Sequence, residues 1–348
     1  MQKGGPGMAN IRDVARAAKT SATTTSRFLN GDPSLAITAA TQQRILSAVE
    51  QLHYVKPARP VRQGTITLGL LVTKSAQDEY DDPYYRDIRR GILDESEQTK
   101  AAIGLTIHAG EPVDPLALRG IDGLIVIGGI ARPWLHQLQQ TTSLIVLVDD
   151  YDAPDDVDAI APDASQAAVM VLDRLAGAGH QRIAFIGGPP TVTHADGTAT
   201  AGPPVDPRLL AYQRWMHEHH LDRYREAYIG GWDYAAGAAL AAQLVQAGKH
   251  PTAVVVASDP LAVGVYRGLN KAGLQIPRDI AVVSFDNSAV AGFLTPPLTT
   301  VQMGAYPIGR SAVRMLTERV HGDRDYPLHV FFPPRIVARE SDAVQAQH

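Results

Sequence analysis

The chain contains 348 residues, 45% of them hydrophobic, which is enough for two or three domains with buried cores. It has no cysteine, so disulfide bonds and thiolate metal ligands are excluded, and its net charge of −4 argues against a general polyanion-binding protein. Residues 1–64 nevertheless carry nine lysines and arginines against three acids, whereas the remainder carries 23 basic and 33 acidic residues. This asymmetry predicts a small phosphate-facing module carried by a larger acidic body.

The amino-terminal segment has no recognisable targeting signal. No apolar run in the chain is as long as a membrane-spanning helix, and residues 1–7 lack the apolar core of a secretion signal. We therefore expect a cytoplasmic protein without a membrane partner. Residues 1–8 are interpreted as a flexible leader, in which Met8 is an alternative start.

Two short helical patterns separated by a tight turn follow the leader. The first begins at Asn10, its predicted N-cap, and the second, at residues 21–30, begins at the capping hydroxyl of Ser21. The apolar face of the first consists of Ile11, Val14, Ala15 and Ala18. The inner face of the second consists of Thr25, Phe28 and Leu29, and its small, polar and cationic outer flank of Ala22, Thr23 and Arg27. Such a pair predicts a helix-turn-helix, whose second helix fits the DNA major groove; the alternative is an ordinary surface helical hairpin.

A third helix and a linker complete this region. Thr38 is the predicted N-cap of the helix, which should close the core of an all-α headpiece at residues 9–55. Its predicted apolar stripe consists of Ile45, Leu46, Val49 and Leu52. Residues 56–65 are rich in proline and arginine and are interpreted as a hinge or linker.

From residue 66 onward, short β-branched apolar runs alternate with amphipathic helices. The predicted strands lie at residues 66–72, 103–107, 123–129, 144–149, 182–188, 253–258 and 280–286. The predicted helices lie at 84–99, 165–178, 234–247 and 261–272. This alternation predicts an α/β core at residues 66–346, with parallel sheets covered on both faces. Because the series restarts near residue 161, we predict two doubly wound subdomains, the first at about 66–160 plus 300–326 and the second at about 161–299 plus 327–346.

Polar side chains follow several of these strands, where ligands bind in open α/β sheets. They are Asp149 and Asp150, Ser258 and Asp259, and Asp286 and Asn287. Two aromatic residues, Tyr84 and Tyr85, follow the first strand. Carboxylates suit the hydroxyl groups of a sugar, and aromatic faces cover its C–H surface. The alternative is that each of these residues only caps a helix or ends a strand.

Other patterns are not assigned a function. The glycine pairs at 128–129 and 187–188 do not continue into a dinucleotide-binding motif or a P-loop, so they are interpreted as turns. The cluster His217, His219 and His220 lies at an exposed helix end, and no metal site is expected there. No local catalytic signature is present, so no cofactor is expected and an enzyme is unsupported.

The helix-turn-helix run resembles the DNA-reading headpiece of the LacI/GalR family of bacterial regulators. The matching residues are Asp13-Val14-Ala15, Ala18-Lys19-Thr20-Ser21 and Thr24-Thr25-Ser26-Arg27-Phe28-Leu29-Asn30. The resemblance implies that Ala22, Thr23 and Arg27 read bases. It places Ser21, Ser26 and Asn30 in the same DNA-binding set, the two serines near phosphates. Lys19 replaces the family's turn glycine, and Thr25 replaces a core valine.

In the same family the linker becomes a short hinge helix on DNA and wedges a leucine into the minor groove. The corresponding pattern here is Ala58-Arg59-Pro60-Val61. Arg59 and Val61 are therefore expected to contact DNA, with the shorter Val61 as the wedge. Because Pro57 and Pro60 restrict helix formation, we expect a weaker or altered kink of the DNA. The alternative is a passive linker.

The resemblance continues through the core, which is similar to that of periplasmic sugar-binding proteins. It implies an effector site built from Tyr84, Tyr85, Asp149, Arg208, Trp232, Ser258 and Asp286. Ser258 departs from the family, which carries an asparagine at this position.

The resemblance implies a sugar-responsive repressor of carbohydrate-utilisation genes, released from its operator by the sugar. Segments 82–92, 256–277, 293–301 and 328–341 resemble family members that regulate galactoside use. This resemblance favours a galactoside effector, with another glycoside as the alternative. The expected partners are double-stranded operator DNA, the sugar and a second copy of the chain, since the tail lacks a leucine heptad for a tetramer. Bound to its operator, the protein would be nucleoid-associated. Activation, a sugar-transport receptor and a glycoside-processing enzyme are the alternatives.

Overall fold

The computed structural model describes residues 11–29, 35–52, 65–202, 206–249 and 251–343. The chain divides into two compact units, Met1–Val61 and Arg62–His348. In the described ranges the first unit consists of helices, and the second contains two parallel-rich sheets flanked by helices. The predicted fold class, an all-α headpiece followed by a doubly wound α/β core, is confirmed.

Several predicted features fall outside the described residues. They are the leader at 1–8, the N-cap Asn10, the DNA-binding residue Asn30, and the hinge residues Arg59 and Val61. They stay predictions.

Three helices form the first unit: α1 (Ile11–Ala17), α2 (Ala22–Leu29) and α3 (Ala39–Gln51). Ser21 caps α2, because its hydroxyl accepts a hydrogen bond from the N–H of Thr24 at 2.9 Å. Thr38 caps α3 in the same way through the N–H of Thr41 at 3.3 Å. In the turn between α1 and α2, Lys19 has a φ of 53°, the left-handed conformation for which glycine is the usual residue.

The headpiece core lies between the three helices. Its fully buried residues include Val14, Ala18, Ile45 and Ala48. The prediction for Leu46 is wrong, since its side chain is 49% exposed. Residues 45, 48, 49 and 52 share the inner face at helical spacing, and Leu46 lies off that face. The buried hydroxyl of Thr25 is paired with the hydroxyl of Thr20 at 2.7 Å, so the polar replacement of valine is satisfied.

The second unit contains fourteen strands and nine helices in the ranges that the structure describes. The strands are β1 (Thr67–Val72), β2 (Ala102–His108), β3 (Gly123–Ile127), β4 (Ile145–Val148), β5 (Asp158–Pro162), β6 (Ile183–Gly187), β7 (Thr191–Thr193), β8 (Ala199–Ala201), β9 (Glu226–Ile229), β10 (Ala253–Val256), β11 (Ala281–Phe285), β12 (Thr299–Gln302), β13 (His329–Phe332) and β14 (Arg335–Val337). The helices are α4 (Ala76–Asp81), α5 (Pro83–Thr99), α6 (Pro115–Arg119), α7 (Arg132–Thr141), α8 (Ala164–Gly177), α9 (Pro207–Glu218), α10 (Tyr234–Gln246), α11 (Asp259–Lys271) and α12 (Ala305–His321).

The strands form two six-stranded sheets and a separate hairpin. The first sheet has the order β13-β5-β4-β3-β1-β2 and is parallel throughout. The second has the order β14-β12-β11-β10-β6-β9 and is parallel except for β14. Each sheet buries apolar side chains on both faces against helices, which explains the continuous apolar runs of its central strands. None of the helices in the described ranges is long and apolar enough to cross a membrane.

The seven predicted strands and four predicted helices are found with small shifts at their ends. The prediction missed β5, β9, β12, β13, β14 and the hairpin of β7 and β8. Two of these, β9 and β13, are edge strands whose residues alternate between half-buried and exposed, so they lack a continuous apolar run.

The chain crosses between the two sheets three times: after β5, after β12 and after β13. The strand β12 pairs with β11 in the second sheet, and β13 pairs with β5 in the first. The predicted division gave residues 300–326 to the first subdomain and 327–346 to the second, and therefore placed both strands on the wrong side. Strand pairing, which a pattern of apolar residues does not encode, decides the sheet that a short strand joins.

Candidate ligand cleft and DNA-reading helix

The outer flank of α2 brings together the predicted DNA-binding residues of the described headpiece. They are Ser21, Ala22, Thr23, Ser26 and Arg27. Thr23 and Arg27 are exposed, and Ala22 and Ser26 are half-buried. The buried Thr25 lies on the opposite side and fixes the helix to the core. A surface of small methyl groups, hydroxyls and one guanidinium is chemically suited to reading base edges in a major groove.

A cavity of about 160 Å³ lies between the two sheets of the core, where strands of both sheets end. All seven residues predicted for an effector site line it: Tyr84, Tyr85, Asp149, Arg208, Trp232, Ser258 and Asp286. The site therefore lies where open α/β sheets bind ligands, at the carboxyl ends of parallel strands. The structure brings the predicted set together, and the role of each residue stays a prediction.

Arg208 is held rigidly at the start of α9. Asp206 caps this helix, and its carboxylate accepts hydrogen bonds from Nε and from one terminal nitrogen of Arg208 at 2.9 and 2.6 Å. The other terminal nitrogen donates to the carbonyl oxygen of Ala257 at 2.6 Å. Burial opposes the charge of Arg208, but Asp206 outweighs it and raises the pKa of the guanidinium. The guanidinium also lies 5.3 Å from the ring of Trp232 and 5.7 Å from that of Phe285.

Asp149 is the centre of a tyrosine cluster on the first subdomain. It follows β4 with a φ of 62°, and the hydroxyl of Tyr84 donates to its Oδ1 at 3.2 Å. The hydroxyls of Tyr85 and Tyr151 also lie close to this carboxylate. Burial raises the pKa of Asp149 to about 6, against the opposing influence of Arg208 and of the tyrosine hydroxyls. The carboxyl group is therefore mainly an anionic hydrogen-bond acceptor at neutral pH.

Trp232 forms an apolar wall of the cavity. Its indole N–H donates to the carbonyl oxygen of Pro189 at 3.0 Å. A Cβ atom at Gly188 would overlap the indole ring, so this position accepts only glycine while Trp232 keeps its place. The glycine pair at residues 187–188 was interpreted only as a turn. Gly188 also has a packing role in the site.

Ser258 and Asp286 complete the side of the second subdomain. Ser258 caps α11 by accepting a hydrogen bond from the N–H of Leu261 at 3.4 Å, which leaves its hydroxyl proton available for a ligand. Asp286 has a φ of 104° and accepts a hydrogen bond from the N–H of Asp259 at 3.3 Å. Burial and the neighbouring carboxylates of Asp259 and Asp82 raise the pKa of Asp286 well above its usual value.

Other residues that line the cavity were not predicted. Asp82 caps α5 by accepting the N–H of Tyr84 at 2.9 Å, and burial raises its pKa. Lys74 lies with Nζ 5.5 Å from the ring of Tyr85. Tyr151 lies two residues after Asp149. An aromatic residue at the end of a strand could have been predicted to line the cavity. Asp150, by contrast, is committed to an ion pair with Arg132 at 2.8 Å.

The cavity is rich in hydrogen-bonding groups and poor in positive charge. Six aspartates line it, against Lys74 and Arg208. Arg208 is already paired with Asp206, so its charge is largely offset. The electrostatic field of the other aspartates therefore favours a neutral or cationic ligand over an anionic one. Carboxylates, tyrosine hydroxyls and an indole face together suit a polyhydroxylated ring. Among the described residues, no group of three or more histidine, aspartate or glutamate side chains could hold a metal ion.

A helix-turn-helix unit followed by a two-sheet core around a polar cleft defines the class of ligand-responsive DNA-binding regulators. Residues 10–56 match the family model described as bacterial regulatory proteins, lacI family, and residues 172–341 match that of a periplasmic binding protein-like domain. The chain is 32% identical over 341 residues to the HTH-type transcriptional repressor MelR of Bacillus subtilis (strain 168), covering 96% of this chain and 97% of that protein. The chain belongs to the lacI family of bacterial transcription regulators, which confirms the predicted family.

Solved structures with the same fold include known regulators. A complex of the transcriptional regulator CelR with cellobiose superposes with a TM-score of 0.68 and 24% identity, over 96% of this chain and 99% of that one. A lac repressor dimer bound to operator and the anti-inducer ONPF superposes with a TM-score of 0.67 and 20% identity, over the same shares of the two chains. At these identities the likeness establishes the fold.

Proposed function

We propose that the protein is a transcriptional repressor that binds operator DNA through α2 and is released by a neutral sugar bound in the core cleft. The observation that carries the proposal is the convergence of seven side chains from both subdomains on one cavity of about 160 Å³. They reach it from the ends of several strands and the starts of helices. The arrangement supports binding rather than turnover, and the relatives that the chain matches are named as regulators.

The chemistry of the cleft supports a sugar as the ligand. Asp149 and Asp286 supply acceptors for sugar hydroxyls, Arg208 and Ser258 supply donors, and Trp232 supplies an apolar face. The regulator CelR, which has the same fold, has been solved with cellobiose. We propose a galactoside as the leading effector, because four core segments resemble galactoside regulators, with another glycoside as the alternative.

The surface of α2 supports operator binding. Arg27 carries a bidentate donor suited to guanine, and the methyl groups of Ala22 and Thr23 suit thymine. The lac repressor of the same fold has been solved as a dimer on its operator. We propose a homodimer here too, because two recognition helices on a near-palindromic site double the contacted sequence. The protein would act in the cytoplasm and on the nucleoid.

Release by a sugar requires that the sugar bind the low-affinity DNA state more tightly than the operator-bound state. The coupling is reciprocal, so operator DNA must weaken sugar binding by the same factor. Closure of the cleft around a sugar would change the relative orientation of the two subdomains. The two orientations would be the two states that couple sugar binding to operator binding.

A sugar panel tests the proposal. Thermal unfolding is followed with galactosides, glucosides, and the corresponding uronates and sugar phosphates, and the positive ligands are added to a fluorescence anisotropy titration with promoter DNA. A galactoside at about 100 times its dissociation constant should stabilise the protein by about 2.7 kcal/mol, and the anionic analogues should not. Sugar should also weaken DNA binding. Either a response to no neutral sugar or DNA affinity that ignores the bound sugar would refute the proposal.

A further inference from the structure

The hairpin of β7 and β8, called here the cleft hairpin, belongs to neither main sheet. It lies between β6 and α9 of the second subdomain. Its strands pair with each other as an antiparallel ladder, and Thr193 of β7 also forms a single parallel bridge to Ile130. Its first strand contributes Thr191 and Val192 to the wall of the cavity. The hairpin is therefore part of the ligand site as well as a connection between a strand and a helix.

Thr193, the last residue of β7, is bonded to the first subdomain through all of its polar groups. Its N–H donates to the carbonyl oxygen of Gly129 at 3.0 Å, and its carbonyl oxygen accepts from the N–H of Ala131 at 2.9 Å. Its hydroxyl donates to the carbonyl oxygen of Thr73 at 2.9 Å. Thr193 is only 2% exposed. Three buried hydrogen bonds from one residue form a specific attachment across the cleft.

The attachment and the crossovers between the subdomains lie on different halves of the first sheet. In the first sheet, the crossovers involve β5 and β13, which form one edge. The cleft hairpin contacts residues that follow β3 and β1, and its Gly197 packs against Gly110, which follows β2. These three strands form the other half of the sheet. A hinge motion at the crossovers that opens the cleft must therefore break the hydrogen bonds of Thr193.

We propose that Thr193 is a positioning residue of the ligand site, which fastens the cleft closed and holds Thr191 and Val192 in its wall. The inference rests on the proposed function, because the site that the residue controls is the sugar site. A ligand enclosed between the subdomains exchanges only when the cleft hairpin is released. Weakening the attachment should therefore speed ligand dissociation and loosen the cleft of the ligand-free protein.

Two variants weaken the attachment independently. Thr193→Val removes the hydroxyl donor with little change of shape, and Thr193→Ser restores the donor. Ala131→Pro removes the N–H that bonds the carbonyl of Thr193, at a residue whose φ of −64° suits proline. Thr200→Val is the matched control, because this exposed hydroxyl pairs with His194 within the hairpin at 2.9 Å. Thermal unfolding of each variant identifies any that fails to fold.

The first measurement is stopped-flow tryptophan fluorescence of the full-length protein with a galactoside, since Trp232 lines the cavity. Loss of one buried hydrogen bond corresponds to about a tenfold change in rate. We expect dissociation to be about tenfold faster in Thr193→Val and Ala131→Pro, and unchanged in Thr193→Ser and Thr200→Val. Equal dissociation rates in all variants would overturn the proposal.

The second measurement needs no ligand. Because the chain has no cysteine, spin labels at Ala76→Cys in α4 and Ala235→Cys in α10, both exposed, report the distance between the subdomains. Thr193→Val should give a longer and broader distance distribution than the parent protein or Thr200→Val. Identical distributions would overturn the role of Thr193 whether or not any sugar binds. A changed distribution in a protein that binds no sugar would uphold this role and reject the sugar proposal.

Discussion

The hydroxyl of Tyr84 donates a hydrogen bond to Oδ1 of Asp149 at 3.2 Å, joining the start of α5 to the end of β4. The two residues are 65 positions apart in sequence. The contact keeps the carboxylate in the cavity, where burial raises its pKa into the range in which cells and assays operate.

Sugar binding should depend on pH through Asp149. Burial raises the pKa of Asp149 to about 6, so the carboxylate is ionised above that pH and protonated below it. If a sugar hydroxyl donates to the ionised form, the dissociation constant should rise about tenfold for each pH unit below 6 and level off above about pH 7. Calorimetric titration from about pH 5 to about pH 8 measures this profile.

Asp149→Asn should flatten the profile, because an amide does not titrate. Asp286→Asn is the control, since burial also raises the pKa of Asp286 in the same cavity. Loss of the transition near pH 6 in Asp286→Asn alone would contradict the assignment to Asp149. In the absence of sugar, the folded pKa of Asp149 exceeds the ordinary value of 3.8. Ionisation of Asp149 therefore costs folding stability as pH rises from about 4 to about 6, and this cost is absent at lower pH.

Arg208→Lys should weaken sugar binding by at least about tenfold while DNA binding in the absence of sugar stays normal. Lysine keeps the charge, but it cannot reproduce the fork of two bonds to Asp206 together with the bond to Ala257. Sugar calorimetry and anisotropy with operator DNA provide the two readouts. Arg214→Lys on the exposed side of the same helix should alter neither. A normal sugar response of Arg208→Lys would remove Arg208 from the proposed site.

Arg27→Ala should cost about 1 to 3 kcal/mol of specific operator binding and leave sugar affinity unchanged. The loss should appear as reduced discrimination between the operator and a scrambled duplex, because Arg27 is assigned to a base. Arg16→Ala, which removes an exposed arginine of α1 that pairs with Asp13, should not reduce this discrimination. Competition anisotropy at fixed salt compares the variants, and an unchanged operator preference in Arg27→Ala would exclude base reading by this residue.

Lys19→Gly should stabilise the headpiece by about 1 kcal/mol, because glycine adopts the positive φ of this turn without steric cost. Hydrogen exchange of the α1 and α2 amides in the full-length protein measures local opening. Lys19→Ala removes the amine but keeps Cβ, so it should give no such protection. Equal exchange rates in the two variants would mean that the turn is unstrained.

Much of the fold could be predicted because the central strands carry continuous apolar runs, as in residues 123–127 and 253–256. The edge strands β9 and β13 carry no such run, since one face of each is exposed. Leu46 was assigned to the apolar stripe of α3, but it is exposed, and Ala48 is buried in its place. The side of the cleft to which β12 and β13 belong depends on pairing partners distant in sequence.

The site was partly predictable for a similar reason. Polar residues at strand ends identify a cleft, so Asp149, Ser258 and Asp286 could be chosen from the amino-acid sequence alone. The position of Gly188 beneath Trp232 depends on a contact between distant segments. The cleft hairpin could not be predicted from the sequence either, because its strands have three residues each and no apolar periodicity.

The three crossovers of the chain between the sheets also determine when the core can finish folding during synthesis. Each sheet includes a strand from residues 329–337, β13 in one and β14 in the other. A nascent polypeptide therefore cannot complete either sheet until residues 329–337 have left the ribosome. Both sheets are therefore completed at the same stage. A product terminated before residue 329 would leave β5 and β12 as the unpaired edges of the two sheets, where aggregation begins.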